Sequence, residues 1–260
     1  MAILDRFSLD GKTVLLTGGT GLYGQPFAAA LAEAGAHVVV TSRDRDRAEA
    51  AASELRGAGA EASAVALDLG DPDSIAAAAA EVADRFGALD VLVNNAVHRA
   101  GRGIEETTGD DWDATSAVNS RGLFLVTQAL GVPMVERGSG SIINIGSIYG
   151  LVGPSFEIYA GTAMTMPAFY SFDKAGMVGF TRYLAAAWGP RGVRVNCLSP
   201  GGLRSEGQAP EFVEAYESRV PLGRLAGEDD VTGALVFLAS DASEYITGVS
   251  LPVDGGWTAI

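Results

Sequence analysis

Short apolar runs and helical stretches alternate along this chain from end to end, and that order leaves few folds open. Residues 12–17 (KTVLLT), 36–41 (AHVVVT), 62–67, 89–94 (LDVLVN), 141–145, 193–198 (VRVNCL) and 249–253 are short and rich in Val, Ile and Leu, as strands buried on both faces must be. Helical patterns separate them over 22–34, 44–56, 72–86, 110–137, 164–188 and 231–239. Asp71 reads as the N-cap of the third helix and Pro72 as its first residue. Strand, helix, strand in repetition means βαβ units and a parallel sheet covered on both faces. With no linker, repeat or low-complexity tail, residues 1–260 read as one α/β domain, a doubly wound parallel sheet of about seven strands.

The first strand runs into Thr17-Gly18-Gly19-Thr20-Gly21-Leu22-Tyr23-Gly24. Gly19, Gly21 and Gly24 form G-x-G-x-x-G between a strand and a helix. That context lets backbone approach a pyrophosphate at a helix N-terminus. Gly18, Thr20, Gly21, Leu22, Tyr23 and Gly24 are therefore candidate dinucleotide contacts. The second strand ends Thr41-Ser42-Arg43, with Ser42 where an acid would hold a ribose 2′-hydroxyl and Arg43 suited to a 2′-phosphate. This favours NADP(H). Asp44 and Asp46 follow and leave NAD(H) open. Asp68-Leu69 closes the third strand, where an aspartate either accepts from an adenine amino group or forms a turn. Asn94-Asn95-Ala96 closes the fourth, where asparagines either tie strand ends together or form a turn.

Tyr170 and Lys174 stand four residues apart in a helical stretch, on one face. The chain holds only two lysines, Lys12 and Lys174, against sixteen arginines, so this lysine does something that arginine does badly. A cation beside a phenol lowers its pKa from ~10 and makes it a proton donor and acceptor near neutrality. Ser147 follows the fifth strand, at the edge where open parallel sheets bind ligands. Its hydroxyl suits holding a carbonyl oxygen rather than attacking one. No histidine stands near it: His37 opens the second strand, at the other edge of the sheet.

The net charge of −14 argues against nucleic acid and anionic membrane surfaces as partners. One cysteine, Cys197, excludes an intrachain disulfide, and His37, His98 and Cys197 lack metal-ligand spacing. No apolar run reaches membrane-spanning length and no leader pattern opens the chain, so a cytoplasmic location is expected.

Together these residues resemble the short-chain dehydrogenase/reductase family over essentially the whole chain. The glycine turn, Asp68, Asn94-Asn95-Ala96, Asn119, Ser147, Tyr170, Lys174, Ser199-Pro200-Gly201 and Val253-Asp254-Gly255-Gly256-Trp257 occur in the family's order. The resemblance implies a Rossmann fold and hydride exchange between a nicotinamide and an alcohol or carbonyl. It implies Tyr170 as general acid/base, Ser147 orienting the oxygen, and Lys174 lowering the phenol and holding the nicotinamide ribose. It implies Asn119 holding a relay water. Asp68, Leu69, Asn95, Ala96, Pro200, Gly201 and Leu203 would lie along the cofactor. It also implies a homotetramer.

Four departures qualify the match. Leu22 replaces a glycine, giving the T-G-x-x-G-x-x-G spacing of the extended branch. Val97 replaces a glycine and is followed by His98-Arg99, and Ser205 replaces a cofactor-binding threonine. Ser147 and Tyr170 are 23 positions apart, more than is usual. Tyr159 is nearer the usual distance, but Ala163 follows it where lysine is needed. Residues 149–167 are therefore expected to form an enlarged loop lining the substrate cleft, and 201–217 a flexible lid over the cofactor. The loop's hydroxyls, Glu157 and two tyrosines suit a sugar or sugar acid better than a long acyl chain. Arg99, Arg102, Arg121 and Arg204 are candidates for a substrate carboxylate or phosphate. The expected activity is oxidation or reduction of a small polar secondary alcohol or ketone. A β-ketoacyl reductase shares every motif, and a dinucleotide-sensing regulator would need only the fold.

Overall fold

The computed structural model describes residues 2–99 and 103–260. Seven strands, β1 (Thr13–Leu16), β2 (His37–Ser42), β3 (Ala62–Ala66), β4 (Val91–Asn94), β5 (Gly140–Ile145), β6 (Val193–Pro200) and β7 (Ser250–Val253), form one sheet. All neighbours are parallel, in the order β3-β2-β1-β4-β5-β6-β7. The strands are apolar on both faces because both are covered. Val14 and Leu16 pack under α1 (Gly24–Glu33), α2 (Arg45–Gly57) and α8 (Asp229–Ala239), with Phe27, Leu31, Ala48 and Leu235. Leu15 points the other way, with Val82 of α3 (Pro72–Phe86), Leu130 and Met134 of α5 (Leu123–Arg137) and Leu184 of α6 (Ala168–Trp188). The chain reverses direction across the sheet at β1, which has β2 on one side and β4 on the other, so the strand ends there open a crevice.

The expected boundaries hold to within a few residues, with two informative differences. The stretch read as one helix over 110–137 is α4 (Gly109–Ser116), a π-helical segment Ala117–Gly122 and then α5. The wider turn carries Asn119, and π-bulges often mark functional positions. The segment read as a flexible lid over 201–217 contains a further helix, α7 (Pro210–Arg219). Proline opens it and Phe212, Val213 and Tyr216 bury one stripe. The α6 helix itself begins at Ala168 rather than at 164.

A third apolar cluster is largely aromatic. Tyr149, Tyr159, Phe212, Tyr216 and Trp257 pack together with Phe169 and Tyr170. Trp257 stacks on Tyr216 at 4.6 Å, Phe212 on Tyr159 at 5.6 Å, and the Arg219 guanidinium lies 5.1 Å from the Trp257 ring. This cluster ties α7, the 149–167 segment and the C-terminal segment into one body.

Candidate active site

The crevice at the β1/β4 strand ends is a cleft of about 700 Å³. Gly18, Thr20, Gly21, Leu22, Tyr23, Ser42, Arg43, Asp68, Leu69, Asn95, Ala96, Tyr170 and Lys174, all expected at the site, line it. The turn after β1 can only be glycine-built. Gly18 has φ +64°, and a Cβ on Gly24 would stand 2.2 Å from the Gly18 carbonyl oxygen. Asn95 holds the turn from β4: its amide group donates to the Thr17 and Gly18 carbonyls at 3.0 and 3.1 Å. Thr17 Oγ1 accepts from the Asn95 and Ala96 backbone N–H groups. Bare backbone at the N-terminus of α1, walled by apolar Leu22, Leu67 and Leu69, fits the pyrophosphate and rings of a nicotinamide dinucleotide.

At the β2 end the acidic and basic candidates separate. Asp44 caps α2, accepting from the Asp46 and Arg47 N–H groups at 2.9 and 3.2 Å through one oxygen, Oδ1. Arg45 turns away to Glu81. Arg43 and Arg47 remain exposed at the cleft with Ser42. Arg47 was missed from the sequence. Only the geometry of the cap, which brings position 47 one turn round to the cleft, reveals it.

The inner end of the cleft holds the ionisable pair. Tyr170, Lys174 and Ser147 are all buried. Lys174 Nζ donates to the Ile145 carbonyl at 2.6 Å and lies 5.7 Å from the Tyr170 ring centre. Ser147 lies within hydrogen-bonding reach of the Tyr170 phenol. The 23-residue separation is bridged because Gly150 packs against α6 directly: a Cβ there would stand 2.6 Å from the Lys174 carbonyl oxygen. Arg99 reaches in from the loop after β4, its guanidinium 3.3 Å from the Tyr170 oxygen and 4.9 Å from the ring centre. Burial pushes the Tyr170 phenol up, but the Lys174 and Arg99 cations and the Ser147 hydroxyl outweigh it and leave the phenol below the ordinary tyrosine value. Burial likewise pulls Lys174 below the usual lysine value, against the opposing pull of Tyr170.

Four other tyrosines surround this point and behave in the opposite way. Burial raises Tyr23, Tyr149 and Tyr159, and pushes Tyr216 up to about 12. Tyr23 donates to the Gly201 carbonyl, and the Tyr149 and Tyr159 hydroxyls meet each other at 3.3 Å. Tyr170 is thus the one phenol of the five poised to exchange a proton.

Some expected residues lie off the cleft. Pro200 ends β6, Gly201 borders a neighbouring hollow beside Tyr216, and Leu203 is buried in a bridge to Ala226. None of the three is among the residues lining the cleft, nor is Gly24. Within residues 149–167, Tyr149, Ile158 and Tyr159 turn inward to the aromatic cluster that also holds Tyr170, and Glu157 is exposed. Arg121 donates to the Gly70 carbonyl and Arg204 lies 3.8 Å from Glu217, so of the four arginine candidates Arg99 is the one at Tyr170. Arg102 lies outside the described residues. Asn119 spends both amide hydrogens, on the His98 carbonyl and Asp173, and accepts the His98 backbone N–H at Oδ1, which leaves its backbone and one Oδ1 lone pair for a water. Among the described residues no three potential metal ligands converge, and no helix is long and apolar enough to cross a membrane.

A glycine turn, a lysine-paired tyrosine and a serine at one strand edge define a nicotinamide-dependent alcohol–carbonyl oxidoreductase, and comparison with known proteins agrees. The family model described as enoyl-(acyl carrier protein) reductase matches residues 23–258. The chain is 39% identical over 257 residues to a D-threitol dehydrogenase of Mycolicibacterium smegmatis, covering 97% of this chain and 95% of that one. It is 37% identical over 261 residues to a 2-dehydro-3-deoxy-D-gluconate 5-dehydrogenase of Bacillus subtilis, covering 97% of each. A gluconate 5-dehydrogenase from Burkholderia cenocepacia, solved in complex with NADP and tartrate, superposes with a TM-score of 0.90 at 35% identity over 100% of both chains. The chain belongs to the short-chain dehydrogenase/reductase family. It is an NAD(P)-dependent enzyme acting on CH–OH groups.

Proposed function

We propose that the enzyme interconverts a secondary alcohol and a ketone on a polyol or sugar acid, with NADP(H) as the preferred cofactor. The observation that carries this is the Arg99 guanidinium at the Tyr170 phenol. An exposed arginine beside the reacting oxygen suits a short, hydroxylated, anionic substrate, because a planar fork can pair with a carboxylate. A long acyl chain gains nothing from it. The relatives named above, which act on a tetritol and on sugar acids, support the same class.

Tyr170 acts as the general base in oxidation and the general acid in reduction. Ser147 holds the substrate oxygen, and Lys174 keeps the phenol low and faces the nicotinamide ribose. Asn119 offers backbone to a relay water. The bound nicotinamide supplies the hydride acceptor or donor. Arg43 and Arg47, with Ser42, form the 2′-phosphate end, and Asp68 and Leu69 border the adenine. Residues 201–217 close the cofactor side, and four copies assemble.

A screen of dialysed protein against polyols, sugar acids and β-ketoacyl esters tests the substrate class. Turnover confined to the acyl esters overturns it. Arg99→Met is expected to raise KM for a sugar acid ~10–100-fold, the weight of a charge-assisted hydrogen bond, while leaving KM for a neutral polyol within a few-fold.

A further inference from the structure

We propose that Asp173 is the outer end of the proton path that connects the buried Tyr170–Lys174 pair to solvent. The inference rests on the acid/base role proposed for Tyr170. Each alcohol oxidised loses a hydride from carbon to the cofactor and a proton from oxygen to Tyr170, and that proton must reach water. Yet Tyr170 and Lys174 are 8% and 5% exposed, and the cleft they line is the one the bound dinucleotide would fill.

Beneath them lies a small internal cavity of about 10 Å³ for a water-sized sphere, enough for one water. Its polar wall is Thr17, Asn94, Asn119, Asp173 and Lys174. Asn94 is 4% exposed, and its amide nitrogen donates to Thr127 and Asn144. The hydroxyl, amide, carboxylate and ammonium side chains of the cavity wall offer a water there the two to four polar partners that an ordered water needs.

Asp173 then leads outward. Its two oxygens accept from Asn119 Nδ2 at 2.9 Å and Ser120 Oγ at 3.2 Å, and the residue is half-buried, so the carboxylate spans cavity and surface. Burial raises the Asp173 carboxyl above the ordinary aspartate range, against the lowering contacts of Asn119, Ser120 and Lys174, which brings it nearer to accepting a proton. The facing groups leave this role to Asp173. Arg121 of the π segment is tied to Gly70, Asp111 of α4 is held in the Thr108 capping box, and Arg99 acts on Tyr170 and Lys174. Lys174 passes a proton through the cavity water to Asp173, is reprotonated from the Tyr170 side, and Asp173 releases the proton to solvent.

The test reads proton movement without turnover. Protein saturated with oxidised dinucleotide, which fills the cleft beside Tyr170, is taken through a stopped-flow pH jump, and tyrosinate absorbance is followed in the native enzyme and in the Tyr170→Phe, Asp173→Asn and Asp173→Glu variants. The Tyr170 phase is the one missing from Tyr170→Phe. In Asp173→Asn that phase is expected to slow about tenfold or more, the low end of what a positioned acid/base group supplies. Asp173→Glu and added formate restore it. The steady-state solvent isotope effect of Asp173→Asn rises while KM for the alcohol stays put. An unchanged Tyr170 phase in Asp173→Asn overturns the relay and leaves the proposed function standing. A slowed phase that neither glutamate nor formate restores also overturns it, marking Asp173 as structural. Absence of any phase assignable to Tyr170 sinks the acid/base role itself.

Discussion

Among the side chains, Tyr170 is set apart by what surrounds it rather than by being a tyrosine. Four neighbouring phenols are raised by burial, and only Tyr170 has Lys174, Arg99 and Ser147 to overcome it. Tyr170→Phe is expected to lower kcat ~100-fold or more, the usual weight of general acid–base catalysis, with dinucleotide binding, followed by fluorescence titration, retained. Oxidation needs the phenolate, so its rate rises with pH through the Tyr170 value, which lies below that of free tyrosine. Reduction needs the phenol and falls across the same interval. Arg99→Met removes one cation and moves both profiles to higher pH, which pH–rate curves with a neutral polyol will show. At the cofactor's far end, Arg43→Ala and Arg47→Ala should each weaken NADPH binding ~10-fold, as for one charged hydrogen bond, with NADH unchanged. How much of this could be read along the chain differs by residue. Tyr170 and Lys174 announce themselves by helical spacing, and the glycine turn by its place between strand and helix. Arg47, Arg99 and Asp173 carry no spacing of their own; their positions follow from a cap, a loop and a π turn that exist only once the chain is folded. Asn119 was legible only through the family's order of motifs.

Among the elements, the strands were the readable part, since residues such as Val14, Leu15 and Leu16 are wholly buried on alternate faces and must be apolar without interruption. The π segment was not readable. It inserts a residue without changing composition, and the pattern on either side still scans as helix. Helix α7 is hard to read along the chain because its apolar stripe, Phe212, Val213 and Tyr216, is short and set in polar sequence. The turn between β1 and α1 makes a sharper prediction. Gly24→Ala puts a carbon 2.2 Å from the Gly18 carbonyl, backbone that cannot rotate away. It should cost ~1–3 kcal/mol, the usual penalty of overpacking, seen as a Tm lowered by several degrees. The turn it deforms borders the cleft proposed for the dinucleotide, so dinucleotide binding should weaken in parallel.

At the scale of the whole molecule, the long helices α5 and α6 leave large apolar side chains outside. Phe124 is 48% exposed, Phe172 62% and Tyr183 69%. Phe124 and Phe180 already meet across the two helices at 6.3 Å. Such a face is expected to be where copies of the chain join. Native mass spectrometry is expected to show a tetramer that Phe124→Glu breaks into smaller species. The net charge of −14 opposes non-specific association by mutual repulsion. The stacking of Trp257 on Tyr216, under the Arg219 guanidinium, has an optical consequence. Of the three tryptophans, Trp188 packs into the core beneath α5, Trp112 lies against Phe172 at the margin of the aromatic cluster, and Trp257 is the one stacked on an α7 side chain. The wild-type protein thus carries a built-in emission probe: a change in the environment of α7 when dinucleotide binds will register as a change in tryptophan fluorescence that Trp257→Phe removes.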